Sequence, residues 1–129
     1  MQPGDEFELT TTPDRYLTVR YAGASGDFNP IHIDEEFARS VGLPGKILHG
    51  LWSMAQVARA HTEAFGGPEA LAALSVQFRG MAVPEQELRV SGEVTTVEGD
   101  LAHTRAEATQ GQTRIIRNAH GELRRVGGD

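Results

Sequence analysis

The sequence predicts an α+β domain in which one long apolar helix packs on an antiparallel sheet. Three observations carry this class: a helical pattern over residues 47–65 with no proline in it, alternation of apolar and polar residues after it, and turn signals spaced as in a meander. Taken in order, the run at 15–22, Arg-Tyr-Leu-Thr-Val-Arg-Tyr-Ala, mixes aromatic and β-branched residues with polar ones and predicts a strand. Residues 33–42 predict a short helix: Asp34 suits its N-cap, Glu35 and Glu36 its positive end, and Gly42 its stop.

A turn at Leu43-Pro44-Gly45-Lys46 leads into the long helix, which Gly66-Gly67-Pro68 ends. Leu51, Met54, Ala55 and Ala58 fall at helical spacing, and Val57, Ala60 and Ala64 widen the apolar surface until the first turns read as enclosed. Such a helix needs a partner wrapped around it. Leu74, Val76 and Phe78 alternate with Ser75, Gln77 and Arg79, and Leu88, Val90 and Val94 with Arg89, Ser91 and Glu93, so two strands follow. Gly99-Asp100 turns the chain into 101–109, Gly111 turns it into 112–118, and Asn118 to Gly121 predicts a third turn. Gly127, Gly128 and Asp129 are expected to form a loose tail.

A chain of 129 residues suits one domain spanning 1–129. With 39% hydrophobic and 23% charged residues it belongs among globular rather than disordered chains. The absence of cysteine excludes disulfides, thiolate nucleophiles and zinc-thiolate sites together, and the cytoplasm is the expected compartment. No basic-then-apolar leader opens the sequence, and no apolar run approaches the ~20 residues of a membrane span, so neither export nor a membrane partner is expected. A net charge of −6 argues against a nucleic-acid partner, although Arg114, Arg117, Arg124 and Arg125 gather near the C-terminus. His61, His103 and His120 stand apart without ligand spacing, so no metal is expected.

The chemistry-bearing stretch is 21–32, Tyr-Ala-Gly-Ala-Ser-Gly-Asp-Phe-Asn-Pro-Ile-His. Asn29-Pro30 separates Asp27 from His32 stiffly, because proline locks its own φ and pushes the preceding residue out of the α region. Gly23 and Gly26 permit unusual backbone angles just upstream, so the stretch reads as a shaped loop presenting an acid and an imidazole. An Asp and a His five apart say little alone, since Asp caps turns and His often only completes a hydrogen bond.

The whole string says more. Ser-Gly-Asp-Phe-Asn-Pro-Ile-His, then a short acidic-capped helix, then His49-Gly50 at the start of a buried helix, resembles the MaoC-like hydratases and dehydratases of the hotdog-fold superfamily. The similarity is closest to the catalytic subunit of actinobacterial (3R)-hydroxyacyl-thioester dehydratases. It is densest from Tyr21 to Ala58 and continues in Val76-Gln77-Phe78 and Pro84.

The resemblance implies a single hotdog fold, an antiparallel sheet wrapped around one central helix. It implies Asp27 and His32 as the catalytic pair, Asn29 in a structural and polar-contact position, and Gly50 as the glycine whose N–H binds the thioester oxygen. His49 beside it is expected to bind substrate or support the loop. The implied reaction is reversible hydration of 2-enoyl thioesters to (3R)-3-hydroxyacyl thioesters, with no metal or organic cofactor. Coenzyme A or acyl carrier protein only carries the substrate. The chemistry asks for these parts: a base for water, an acid for the α-carbon, and donors for charge on the thioester oxygen. Gly50 suits the last role at a helix N-terminus.

A single hotdog unit of this family is usually half of a dimer, so the implied partner is an identical chain or a related hotdog subunit. After Val76-Gln77-Phe78 the chain runs Arg-Gly-Met-Ala-Val-Pro-Glu-Gln-Glu-Leu, where the family often shows a proline-rich turn ending in Gly-Asp, which leaves the accepted acyl group open. Two other readings stand beside the hydro-lyase. A hotdog thioesterase would send water to the carbonyl, and an auxiliary acyl-thioester-binding subunit would have no need of Asp27 and His32. Trp52 reads as core, one turn into the helix.

Overall fold

In the computed structural model, which describes residues 1–125, the chain opens with β1 (Glu6–Thr11), whose Phe7 and Leu9 point inward while Glu6, Glu8 and Thr10 face solvent. The tail expected at Gly127, Gly128 and Asp129 lies outside the described residues. Pro13 separates β1 from α1 (Leu17–Ser25), so the strand expected at 15–22 is a helix and the true first strand lies upstream. The reason is spacing: Thr18 and Ala22 are buried, and Leu17 and Tyr21 pack on the core, two pairs each four residues apart. Asp14 braces the first turn by accepting the Tyr16 N–H at 2.8 Å and pairing with Arg20 at 2.7 Å.

The helix expected at 33–42 is present as α3 (Glu35–Ser40), with the Asp34 carboxylate accepting the Phe37 N–H as its cap. Ahead of it lies a one-turn helix, α2 (Pro30–Ile33). The long helix is α4 (Gly50–Ala64); Ile47 and Leu48, counted in its pattern, lie ahead of it outside any helix and are buried. A short 3₁₀ turn (Pro68–Ala70) then leads into the remaining strands, β2 (Leu71–Phe78), β3 (Leu88–Glu98), β4 (Leu101–Gln110) and β5 (Thr113–Arg124).

All pairings are antiparallel and the strand order is β1-β3-β4-β5-β2. The last three strands in sequence form the expected meander, while β1 and β2 close its two sides. Helix α4 touches all five strands, so the sheet wraps around it. Its buried face is Trp52, Ser53, Val57, Ala60 and His61. This corrects the face expected from Leu51, Met54, Ala55 and Ala58, since Leu51 is 65% exposed. Alanine is too weakly apolar to direct a helix, and two polar residues occupy the inner stripe.

The third turn expected at Asn118 to Gly121 is absent, because β5 runs straight through it. Ala106 pairs with Ala119 and Ala108 with Ile116, which sets Arg117 and Asn118 against Glu107 alone. This is a β-bulge, and Asn118 takes the left-handed backbone angle, φ 50°, that it requires. Arg114, Arg117 and Arg124 thus lie on an interior strand, since the sheet edges are β1 and β2, and Arg114 pairs with Glu107 at 3.3 Å.

Beyond the bulge, Gly121 is needed for space rather than for turning. A Cβ there would stand 2.5 Å from Thr104 Oγ1 and 2.6 Å from His61 Nε2. His61, which stands apart from the other histidines in sequence, is buried with both ring nitrogens engaged. Its Nδ1–H donates to the Val57 carbonyl at 2.7 Å, its Nε2 accepts from the Thr104 hydroxyl at 2.7 Å, and the Thr104 oxygen accepts the Gly121 N–H at 3.1 Å. One polar chain thus ties α4 to β4 and β5 through the apolar core.

Burial holds the His61 imidazole below its ordinary value of 6.5, outweighing the Val57 hydrogen bond that pulls the other way. The unfolded chain binds this proton more readily than the folded one. Stability should therefore level off above about pH 6.5 and fall as pH drops below it. Thermal unfolding followed from about pH 7.5 to about pH 5.5 should show a steeper loss of Tm for wild type than for His61→Gln, and parallel slopes would contradict the assignment. At neutral pH, Gly121→Ala should cost about 1–3 kcal/mol in a denaturant titration.

Candidate active site

The loop between α1 and α2 is built by side chains that fold back on their own backbone. Gly26 ends α1 with φ 79°, and its N–H donates to the Ala22 carbonyl at 2.9 Å, so Asp27 leaves the helix at a sharp angle. The Ser25 hydroxyl oxygen accepts the Asp27 N–H, Asp27 Oδ1 accepts the Asn29 N–H, and Asn29 Oδ1 accepts the Ile31 N–H, each at 3.2 Å. Asn29 is thereby the N-cap of α2 and Pro30 its first residue. Gly23, expected in the loop, lies inside α1, and His32, expected ahead of a helix, lies inside α2.

His32 is buried, and its Nδ1–H donates to the Ile47 carbonyl at 2.8 Å. Because a carbonyl can only accept, this bond places the proton on Nδ1 of the neutral ring and leaves the Nε2 lone pair free. That lone pair faces Asp27, whose Oδ2 lies 3.7 Å away. The separation is too long for a direct hydrogen bond, and one water can bridge it. The Asp27 side chain remains 54% exposed, which leaves the gap open to substrate.

His49, the N-cap residue of α4, stacks on His32 with ring centroids 3.8 Å apart and planes 20° apart. Its Nε2–H donates to the Asp27 carbonyl at 3.0 Å, and the Tyr21 ring lies against it at 4.7 Å. His49 Nδ1 is buried without a hydrogen-bond partner. The contact with Asp27 gives His49 a loop-supporting position. Gly50 follows directly, exposed and first in α4, where backbone N–H groups lack intrahelical acceptors and the positive end of the helix dipole lies. Of the residues singled out from the sequence, Asp27, His32 and His49 thus lie against one another, Asn29 caps the helix that carries His32, and Gly50 adjoins His49 at the start of α4.

Asp27, His32 and His49 bring ligand-type atoms within 4.8 Å of one another, so the set invites a metal reading. The rings argue against it. Stacked, nearly parallel imidazoles keep their in-plane lone pairs in separate planes, which disfavours convergence on one ion, and His49 Nε2 already serves the Asp27 carbonyl. The arrangement suits proton transfer better than coordination.

Sequence reasoning missed three supports. The Ile47 carbonyl carries no side-chain signal. Tyr21 was taken for part of a strand. Gln110 is buried at the inward end of β4, where it accepts the Val83 N–H at 2.8 Å and donates to the carbonyls of Val83 and Gln86 at 2.9 and 3.1 Å. It shapes the loop after β2, and a glutamine on the inward parity of a strand was the available clue. That loop, with Arg15, Glu35 and Lys46, lines a cavity of about 460 Å³ that includes neither Asp27 nor His32.

Residues 1–115 match the MaoC like domain. The chain is 36% identical over 89 residues to enoyl-CoA hydratase 2, peroxisomal, of Arabidopsis thaliana, covering 67% of this chain and 28% of that protein. It spans less than a third of that relative. Among solved structures, the R-hydratase PhaJ1 from Pseudomonas aeruginosa superposes with a TM-score of 0.88 at 20% identity, covering 99% of this chain and 84% of the other. The ChsH1-ChsH2 complex from Mycobacterium tuberculosis superposes with a TM-score of 0.85 at 23% identity, covering 96% and 98%. These likenesses establish the hotdog fold for this chain.

The tautomers give a direct check on the site. Nitrogen-15 NMR of histidine-labelled protein, at a pH where the rings are neutral, should find His32 protonated on Nδ1 and His49 on Nε2. A His32 protonated on Nε2 would contradict the geometry.

Proposed function

Because the chain belongs to the MaoC-like domain family, we propose that it is a hydro-lyase adding water across 2-enoyl thioesters to give (3R)-3-hydroxyacyl thioesters, with dehydration as the reverse. The observation that carries this reading is the free His32 Nε2 facing Asp27 Oδ2 across 3.7 Å, beside the N-terminus of α4. A water held by both is a nucleophile already oriented.

In the forward direction, His32 Nε2 takes a proton from that water as its oxygen bonds to C3 of the enoyl group. The C2–C3 π electrons move toward the carbonyl, and the Gly50 N–H together with the helix end receives the charge on the thioester oxygen. Asp27 holds the second hydrogen of the water and stabilises the imidazolium. The imidazolium then returns its proton to C2, which restores neutral His32 and completes the addition. Asn29 and His49 act by holding this geometry: Asn29 caps the helix bearing His32, and His49 braces the Asp27 backbone and the His32 ring. No residue in the sequence of steps needs a metal or an organic cofactor, and coenzyme A or acyl carrier protein is the carrier.

Among the described residues no helix is long and apolar enough to cross a membrane. We keep the cytoplasm as the compartment on the cysteine-free composition. For a partner, we favour a second hotdog chain, identical or related. Support comes from β2, a sheet edge, and from Met81 and Leu51, which leave 49% and 65% of their surfaces exposed. The two-component ChsH1-ChsH2 neighbour fits a related subunit as well as an identical one.

Loss of enoyl absorbance from crotonyl-CoA tests the reaction. Wild type should hydrate it, while Asp27→Asn and His32→Ala, each confirmed to be folded, should lose about 10²–10⁴-fold in kcat. Undiminished turnover in either variant removes that residue from the pair. Tight binding of enoyl thioester by wild type without turnover would favour the auxiliary-subunit reading.

A further inference from the structure

Phe78, on the apolar parity of β2, is half exposed at the strand's end. Its ring lies against the first residue of α4: a Cβ built on Gly50 would meet Phe78 Cε1 at 3.3 Å and Cδ1 and Cζ at 3.7 Å. Gly50 has an ordinary φ, so nothing in its backbone demands glycine. The ring crowds that position, so a side chain there would have to displace it by a few tenths of an ångström.

The backbone that carries the ring is also held in place. Phe78 pairs with Ile116, and the next two N–H groups, those of Arg79 and Gly80, both donate to the Ile115 carbonyl, at 2.9 and 3.2 Å. Gly80 packs so closely on β5 that a Cβ there would stand 2.6 Å from the Arg114 carbonyl oxygen. In the first turn of a helix, the N–H and Cα–Cβ bonds both lean toward the N-terminal end. Whatever fills the Cβ position of Gly50 therefore borders whatever its N–H binds.

Building on the hydro-lyase reading, we propose that Phe78 is a specificity-determining residue whose ring lies against C2 of the bound enoyl thioester. With the thioester oxygen on the Gly50 N–H, C2 is one bond from the carbonyl carbon and packs between that N–H and the ring. The wall admits a C2 that bears only hydrogen and rejects a methyl branch there. It also explains the glycine at position 50, which keeps both ring and oxygen close to the backbone.

The test compares kcat/KM for crotonyl-CoA and 2-methylcrotonyl-CoA in wild type, Phe78→Ala, Phe78→Leu, Gly50→Ala and the double variant Gly50→Ala/Phe78→Ala. Phe78→Ala should raise the ratio of branched to unbranched activity by about tenfold or more, and Phe78→Leu by less. Gly50→Ala should lower activity on crotonyl-CoA by about tenfold or more, and the double variant should recover part of that loss because the new Cβ then has room. An unchanged ratio in Phe78→Ala, with wild type active, would overturn the proposal, as would losses in the double variant that simply multiply. A Phe78→Ala protein of halved mass in light scattering, with the ratio unchanged, would make the ring an interface residue instead and overturn the specificity role. If Phe78→Ala melts early, Phe78→Leu keeps an apolar side chain on the strand and decides by its ratio. Wild type inactive on both substrates would fail the reaction assignment itself, and the role of Phe78 with it, a result told apart by the wild-type measurement alone.

Discussion

The hydrogen bond from His32 Nδ1–H to the Ile47 carbonyl, 2.8 Å long and buried, is the contact on which the site depends. The same Ile47 returns its N–H to the Ile31 carbonyl at 3.1 Å, and Leu48 donates to the Ala82 carbonyl at 2.8 Å. The segment leading into α4 is thus stitched on one side to the loop carrying the pair and on the other to the loop after β2. One backbone stretch sets the tautomer of His32, the plane of its ring and the starting point of the helix. A side-chain partner would have its own rotamers to fix; a buried carbonyl has none.

The helix end is useful only if the helix cannot slide. Alanines on the inward faces of β4 and β5, at positions 106, 108 and 119, leave little side-chain bulk between sheet and helix, and Trp52 and Val57 fill what remains. The polar chain from His61 through Thr104 to Gly121 adds a fixed point to these otherwise non-directional contacts. Placed in an apolar surround, it is costly to leave half satisfied, so it favours one position of α4 over its neighbours. The bulge at Arg117 and Asn118 bends β5 just before Gly121. Packing remote from the opening therefore bears on where the Gly50 N–H points.

What could be read beforehand divides by the range of the interactions involved. The 25–32 loop was legible because serine, aspartate, asparagine and proline act on backbone groups two residues away. The long helix was legible as an element, yet its inner face was not: Ser53 and His61 face inward only because the sheet there supplies close packing or a partner. The run at 15–22 misled because Thr18, Val19 and the two tyrosines favour strands intrinsically, while core packing of residues 17, 18, 21 and 22 settles the matter as helix. Asn118 to Gly121 carried the composition of a turn and instead serves a bulge and a close contact. The Ile47 carbonyl had no signature at all, since backbone acceptors occur at every residue.

In the proposed reaction one water does two jobs: its oxygen goes to C3, and the proton it gives to His32 goes to C2. Both arrive from the side of the enoyl plane that faces Asp27 and His32. Carried out in deuterium oxide with crotonyl-CoA, and read by NMR of the purified 3-hydroxybutyryl product, hydration should place deuterium at C2 on the same face as oxygen at C3, the result of syn addition. Deuterium on the opposite face would require a second proton donor across the substrate and would contradict the shared-water site.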